Sequence, residues 1–523
     1  MKHALPFLAF FLVVPLSVRQ ATAAARSADK PNLVVINVDD LGYADIGPFG
    51  STLNRTPNLD HMAREGRKLT CFYGAPVCSP SRSALMTGCY PKRVLPIPGV
   101  LFPAGAVGLN PEERTIAEVL RDAGYRTACI GKWHLGDQPE FLPTAQGFDY
   151  YLGIPYSNDM GTAAEGSKSD LGAPLPQPKP GPSAAATKVA QGEDETGLKG
   201  LGQPPLPLVE NGKVIARVKQ DEQQAIVETY TTAAVNFIRE NKDRAFFLYL
   251  PHNAVHFPLY PGKAWAGKSG RGLYSDWVEE VDWSVGQVLD TVRELQLAQN
   301  TLVVFTSDNG GTPRAVNAPL RGFKGSTWEG GMREPTIAWW PGRIPAGTST
   351  DEITGMLDLL PTFAKLGGGQ APTDRKLDGL DISPVLLGEA GAKGHADFYF
   401  FRGLNLEAVR SGPWKLHFGQ SAAGAGGKAK TKAAAKANAN AQPGGVQLYN
   451  LDADIGEANN VAAEHPDVVQ RLQSLADAMQ ADLGTREAGP GVRPLGRVAD
   501  PQPFLDQQGN VRADAVGSRA QFP

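Results

Sequence analysis

The stretch Leu33-Val34-Val35-Ile36-Asn37-Val38 constrains the fold of this chain more than any other. It is almost unbroken in apolar, mainly β-branched residues, which suits a strand covered on both faces, as in a parallel sheet. It ends abruptly in Asp39-Asp40. Two adjacent carboxylates after a buried strand repel each other unless a cation or basic groups offset them, and a helix N-cap or turn before Leu41-Gly42-Tyr43 is the plainer alternative. The arrangement then recurs. Tyr125 to Ile130 reads as a strand and delivers Gly131-Lys132-Trp133-His134-Leu135-Gly136. Ala245 to Leu250 delivers His252 and His256-Phe257-Pro258, and Thr301 to Thr306 delivers Ser307-Asp308-Asn309-Gly310-Gly311. In open α/β sheets ligands bind beyond the carboxyl ends of the strands, so these four loops can converge on one crevice.

Helical patterns separate the strands. Glu113 to Ala123 places Ile116, Val119, Leu120 and Ala123 on one face, with Thr115 near the start and Gly124 at the stop. Ala225 to Ile238 precedes the His256 loop, and Val281, Val285, Val288, Leu289, Val292 and Leu295 repeat at helical spacing before the Asp308 strand. The alternation predicts an α/β fold over residues 28–390: a large mixed, mainly parallel sheet flanked by helices. After Leu377 to Pro384 the character changes. Phe398 to Phe401, Glu407 to Arg410, Trp414 to Phe418 and Gln447 to Leu451 are short strand candidates, and Val469, Leu472, Leu475, Ala476 and Met479 mark a helix. They predict a smaller C-terminal antiparallel sheet plus helix over residues 391–485. Residues 164–208, rich in Pro, Ala, Gly and Lys without a period, and residues 419–445, made of Ala, Gly and Lys repeats, read as flexible insertions, and residues 486–523 as an irregular tail.

The 523 residues carry a formal net charge of -3, which argues against a general nucleic-acid binder. Residues 1–25 combine Lys2 and His3, an apolar run and Ala21-Thr22-Ala23-Ala24-Ala25, the pattern of a secretory signal peptide. No later stretch is apolar enough to span a bilayer. The expected product is exported, periplasmic or secreted. Four cysteines, Cys71, Cys78, Cys89 and Cys129, are too few for a disulfide scaffold.

Cys78-Ser79-Pro80-Ser81-Arg82 runs from a loop into a helix that Gly88 can end. Cys78 then sits at the positive end of the helix with Arg82 on the same face. Taken alone, such a cysteine is more often an inert small hydrophobe. Asp39, Asp40, Asp308 and Asn309 are oxygen donors and suit Ca²⁺ or Mg²⁺ over zinc. With Lys132, Lys324, Arg82 and His256 around them, the set is matched to a tetrahedral oxyanion, phosphate or sulfate.

Asp39-Asp40-Leu41-Gly42-Tyr43, Cys78-x-Pro-x-Arg82 with Leu85-Met86-Thr87-Gly88, Gly131 to Gly136, Ser307 to Gly310 and Lys324 to Pro335 together resemble the successive signatures of the type I, formylglycine-dependent sulfatases. Gly153 to Ser157 and Val409 to Phe418 bring the likeness nearest to the arylsulfatase A and N-acetylgalactosamine-6-sulfatase branch. The resemblance implies an alkaline phosphatase-like fold and hydrolysis of aryl or carbohydrate sulfate monoesters. It implies that a formylglycine-generating maturation enzyme oxidises Cys78, whose hydrate attacks sulfur. The metal would be held by Asp39, Asp40, Asp308 and Asn309 with the Cys78 hydrate. Arg82 and His134 would position the hydrate, and His134 would take a proton from its second hydroxyl. Lys132, Lys324 and Ser157 would hold sulfate, His256 or Lys324 would protonate the leaving alcohol, and His417 would stand on the substrate side. Gly310-Gly311-Thr312-Pro313 and Cys89 depart from common family forms, at positions outside the implied ligand set. A phosphomonoesterase or phosphodiesterase of the alkaline phosphatase superfamily and a non-catalytic sulfated-glycan binder are the competing readings.

Overall fold

Burial on both faces is what the 33–38 run demands, and β1 (Asn32–Val38) obtains it at the centre of the main sheet, with every residue buried. The computed structural model of the chain describes residue 1 and residues 30–176, 194–418 and 445–517. Apart from Met1 and Gly445, the segment read as a leader and the insertion at 419–445 lie outside the described residues.

The strands that follow are β2 (Arg67–Tyr73), β3 (Val107–Gly108), β4 (Arg126–Ile130), β5 (Tyr150–Gly153), β6 (Pro207–Glu210) and β7 (Lys213–Arg217). Then come β8 (Phe246–Pro251), β9 (Thr301–Ser307), β10 (Arg333–Trp339), β11 (Thr348–Thr350) and β12 (Thr354–Gly355). Eleven of these form one sheet in the order β11-β2-β10-β9-β1-β8-β4-β5-β6-β7, with β12 also paired to β2. The central run β9-β1-β8-β4-β5 is parallel, whereas β10 is antiparallel to both of its neighbours and β5-β6-β7 turn back on one another. Helices Gln220–Glu240 and Leu273–Glu294 cover one face through Ile226, Tyr230, Val285 and Leu289. Helices Cys78–Thr87, Ile116–Asp122 and Leu359–Gly367 cover the other through Leu85, Ile116, Leu120 and Phe363. Thr115 caps its helix by a reciprocal box with Glu118, as its place before the apolar face predicts.

A second, four-stranded antiparallel sheet comprises β13 (Asp397–Arg402), β14 (Asn405–Ser411), β15 (Trp414–His417) and β16 (Gln447–Asn450). Leu472, Ala476 and Leu483 of helix Pro466–Leu483 are its buried face. The predicted fold class is the one observed.

Three details differ from the sequence reading. The short strands β2, β5, β6, β7 and β10 lack an unbroken apolar run, and tertiary pairing decides them. The stretch 164–208 is not loose over its described part. Ser167 and Leu206 are buried, Thr196 and Glu195 carbonyls accept from Phe102 and Ala106, and Pro207 opens β6. The tail is also anchored: β17 (Gly496–Arg497) pairs with β3, and Phe504 and Leu505 are fully buried. Two-residue strands and single anchors leave no periodic trace.

Candidate active site

Register brings the loops together. Val38 lies opposite Ser307 across β1 and β9, and Asn37 opposite Pro251 across β1 and β8. The chain leaves all three strands at one level, where Asp308 N donates to Val38 O at 2.9 Å and His252 N to Asn37 O at 2.8 Å. The fourth loop joins because Gly131, at φ 137°, has no Cβ; one there would stand 1.9 Å from Pro251 O. Lys132 N can therefore donate to Pro251 O at 2.7 Å. Asp40 and His134 hold left-handed backbone at φ 64° and 65°. That conformation costs a non-glycine residue about 1–3 kcal/mol and persists where the surroundings enforce it.

Cys78 is the first residue of its helix, and Arg82, one turn on, shares its face. The Cys78 sulfur lies 3.4 Å from Asp39 Oδ1 and 3.5 Å from Lys324 Nζ. Arg82 donates through Nε and Nη2 to Asp308 Oδ2 at 3.0 and 2.8 Å, through Nη2 to Asp39 Oδ2 at 3.3 Å and through Nη1 to Lys132 O at 2.7 Å. Lys132 pairs with Asp39 and lies 3.2 Å from Ser157 Oγ. Lys324 pairs with Asp40 Oδ1 at 2.6 Å, and Asn309 Nδ2 donates to the same oxygen at 2.8 Å. His256 has Nε2 3.8 Å from Asp40 Oδ2 and Nδ1 3.2 Å from Ser157 Oγ.

Burial alone would push the Asp39 carboxyl up, but Lys132, His256, Arg82 and Lys324 hold it well below the usual carboxylate range. Burial, then the carboxylates of Asp308 and Asp39, push the Cys78 thiol far up, so it stays protonated and is a poor nucleophile as cysteine. His134 is kept neutral by burial and by Lys132 and Arg82. Its Nε2 lies 2.9 Å from Leu101 O, an acceptor only, so Nε2 carries the hydrogen; Nδ1 is a buried lone pair without a partner among the described residues.

The donor set suits a hard cation. Ligand atoms of Asp39, Asp40, Cys78 and His256 all lie within 4.8 Å of one another, and Asn309 Oδ1 is buried without a hydrogen-bond partner among the described residues. Asp308 borders this cluster, its Oδ1 3.5 Å from Asp40 N and its Oδ2 engaged by Arg82. All four cysteines are free and buried.

Of the histidines that the sequence analysis singled out, His252 and His417 make their hydrogen bonds outside this cluster. His252 is fully buried with Nε2 3.1 Å from Ser284 Oγ on helix Leu273–Glu294. His417, expected on the substrate side, is 6% exposed, bonded to Glu457 Oε1 at 3.0 Å and covered by the Trp328 ring at 4.0 Å. The short strand β15 turns it inward. The sequence reading also passed over Glu334. It is fully buried near Asp308 and Asp40, neither carboxyl oxygen has a hydrogen-bond partner among the described residues, and burial followed by those two charges keeps it protonated. Its only sequence signal is its place in Arg333-Glu334-Pro335 at the start of β10.

Comparison with known proteins agrees with this geometry. The Sulfatase family matches residues 31–369, and the C-terminal region of aryl-sulfatase matches residues 393–490. Human arylsulfatase A is 39% identical over 483 residues, covering 88% of this chain and 90% of that protein. The dog N-acetylgalactosamine-6-sulfatase is 35% identical, with 76% and 73% covered, and mouse steryl-sulfatase is 35% identical, with 87% and 82% covered. Among solved structures, the PsFucS1 sulfatase from Pseudoalteromonas sp. superposes with a TM-score of 0.72 at 27% identity, covering 89% of this chain and 92% of that one. The chain belongs to the sulfatase family and is a sulfuric ester hydrolase.

Proposed function

We propose that this enzyme cleaves sulfate monoesters of carbohydrates or aryl alcohols through a formylglycine made from Cys78 and a divalent cation, Ca²⁺ or Mg²⁺. The observation that carries the reading is Cys78 itself: its protonated thiol stands at a helix start between the Asp39 carboxylate and the Lys324 ammonium. A maturation enzyme that oxidises Cys78 removes the inert thiol. The hydrated aldehyde supplies a gem-diol, whose second hydroxyl lets sulfate depart by elimination instead of remaining esterified to the protein. The cation, held by Asp39, Asp40, Asp308 and Asn309 beside Cys78, supplies charge that offsets the carboxylates and polarises the sulfate.

The chain's own groups do the rest. Lys132, Ser157 and Lys324 bind sulfate oxygens, and their N–H and O–H donors favour the charge that grows there. Arg82 fixes Asp39 and Asp308 in place. His134 Nδ1, a lone pair with Nε2 locked on Leu101 O, accepts the proton of the second hydroxyl. His256 Nε2 or the Lys324 ammonium donates the proton to the leaving alcohol. Residues 1–25 act as an export signal that places the enzyme in the periplasm or outside the cell.

The decisive test is the mass of the Cys78 peptide from protein made together with a formylglycine-generating enzyme. The aldehyde form is expected in active protein, and an unmodified thiol in active protein overturns the reading. Cys78→Ser is expected to fold and to lose turnover. Nitrophenyl sulfate should be preferred to nitrophenyl phosphate; the reverse order would place the enzyme with the phosphatases of the wider superfamily.

A further inference from the structure

The loop that links Asn309 to Lys324 carries a charged group for which the chemistry at Cys78 has no use. The loop is braced from inside. Asn317 donates through Nδ2 to Gly311 O at 2.9 Å and accepts from Gly311 N at 3.1 Å, while Val316 N donates to Asp45 Oδ1 at 3.0 Å. Arg314 stands exposed on it, with 44% of its side chain accessible. Its guanidinium carbon lies 5.4 Å from the centre of the Phe257 ring, and Nη1 lies 2.8 Å from Asp170 Oδ2. Asp170 is set in turn by Leu259 N, which donates to its Oδ1 at 2.8 Å. Phe257 follows His256 directly and is only half-buried. Three chain segments thus meet beside His256, one of the two groups proposed to protonate the leaving alcohol.

An ion pair this exposed contributes only about 0–1 kcal/mol to folding, so stability does not account for it. Its chemistry is more telling. A guanidinium beside a carboxylate offers N–H donors next to lone pairs with little net charge. Such a pair does not select anions; it suits groups that both donate and accept, as neighbouring hydroxyls do. The Phe257 ring adds an apolar face against which C–H groups pack. A flat aryl leaving group would use that face and leave the donor and acceptor unread.

The geometry points to Arg314, with Asp170 and Phe257, as the specificity subsite for a pyranose leaving group, reading its hydroxyls where the alcohol departs. This assignment rests on the sulfatase reading of the cleft.

The test compares wild type, Arg314→Ala and Arg314→Lys, each with Cys78 oxidised, on nitrophenyl sulfate and on a panel of monosulfated hexoses and N-acetylhexosamines. For the best sugar ester, kcat/KM should fall roughly tenfold in Arg314→Ala, mainly through KM, as expected for one or two lost polar contacts. Nitrophenyl sulfate should change by less than about twofold, since it makes none of those contacts. Arg314→Lys should recover part of the loss. An equal fall on both substrate types, no change on the sugar ester, or a wild type that cleaves nitrophenyl sulfate but no sugar ester would overturn the subsite and leave the sulfatase reading standing. A wild type that cleaves nothing in the panel would overturn the sulfatase reading, and the subsite with it.

Discussion

Arg82 Nη2 lies 2.8 Å from Asp308 Oδ2, with 1% and 0% of the two side chains exposed. A charge pair this deep repays its desolvation only while both partners remain, so removing one leaves an uncompensated buried charge. Arg82→Met should therefore destabilise the protein by about 3–5 kcal/mol in urea unfolding. Added Ca²⁺ should recover part of that loss, because a cation offsets the same Asp39 and Asp308 carboxylates. A variant as stable as wild type would show that the pair contributes nothing net.

Metal binding should be visible without turnover. A cation bound by the native state and not by the unfolded chain would add about 2.7 kcal/mol of stability at a hundred times its Kd, with Ca²⁺ and Mg²⁺ as the ions to titrate. Asp40→Asn removes a carboxylate that Lys324 and Asn309 both address, and it should abolish most of that gain in calorimetry. Chelation should stop hydrolysis and added cation restore it. An equal cation effect in wild type and variant would place the metal elsewhere.

His252 gives a pH signature independent of catalysis. Burial pushes its imidazole down to about 4, whereas the unfolded chain titrates near 6.5. The unfolded state thus binds more protons in this window. Stability is fully present above about pH 6.5 and is lost as pH falls toward 4, by roughly 3 kcal/mol for this group. His252→Phe should flatten the acid limb of stability between those values. An unchanged limb would mean that His252 stays solvated in the native state.

Lys415, on β15, ties the smaller sheet to the segment that leads into β10. It is fully buried, 2.8 Å from Glu329 Oε1 and 3.1 Å from Glu457 Oε1, and donates to Thr327 O at 2.9 Å. Lys415→Met leaves two buried carboxylates short of a cation, which should cost about 3–5 kcal/mol. The same change frees the Thr327 end of the loop bearing Lys324, so KM for a sulfate ester should rise in the folded fraction at low temperature. Unaltered KM would separate the anchor from the site.

Much of the fold was legible because its signals are local. The runs at 33–38, 245–250 and 301–306 are apolar enough to require cover on both faces, and they became β1, β8 and β9. The caps at Thr115 and Gly88 marked a helix start and a helix end where the chain has them. The strands β2, β5, β6, β7 and β10 were not legible, since their residues suit a sheet only once neighbours are present. The polar ends of Asp39, Lys132, His256 and Asp308 could be named as candidates, and the structure brings them together with Cys78, Arg82, Ser157, Asn309 and Lys324. The partners of His417 could not be read from the sequence, because a one-residue slip on a four-residue strand turns every side chain to the opposite face.

The sequence by itself determined which residues are chemically able to act and that they stand at strand ends or, for Cys78 and Arg82, at a helix start, because residue type and hydrophobic period are local properties. Only the tertiary structure decided which of them share a charge cluster, that the Cys78 thiol is held protonated, that Glu334 and His252 are buried without charge, and that Arg314 meets Asp170 and Phe257. Those outcomes depend on desolvation and on distances between groups far apart in the chain, and both come into being only when the sheet closes around them.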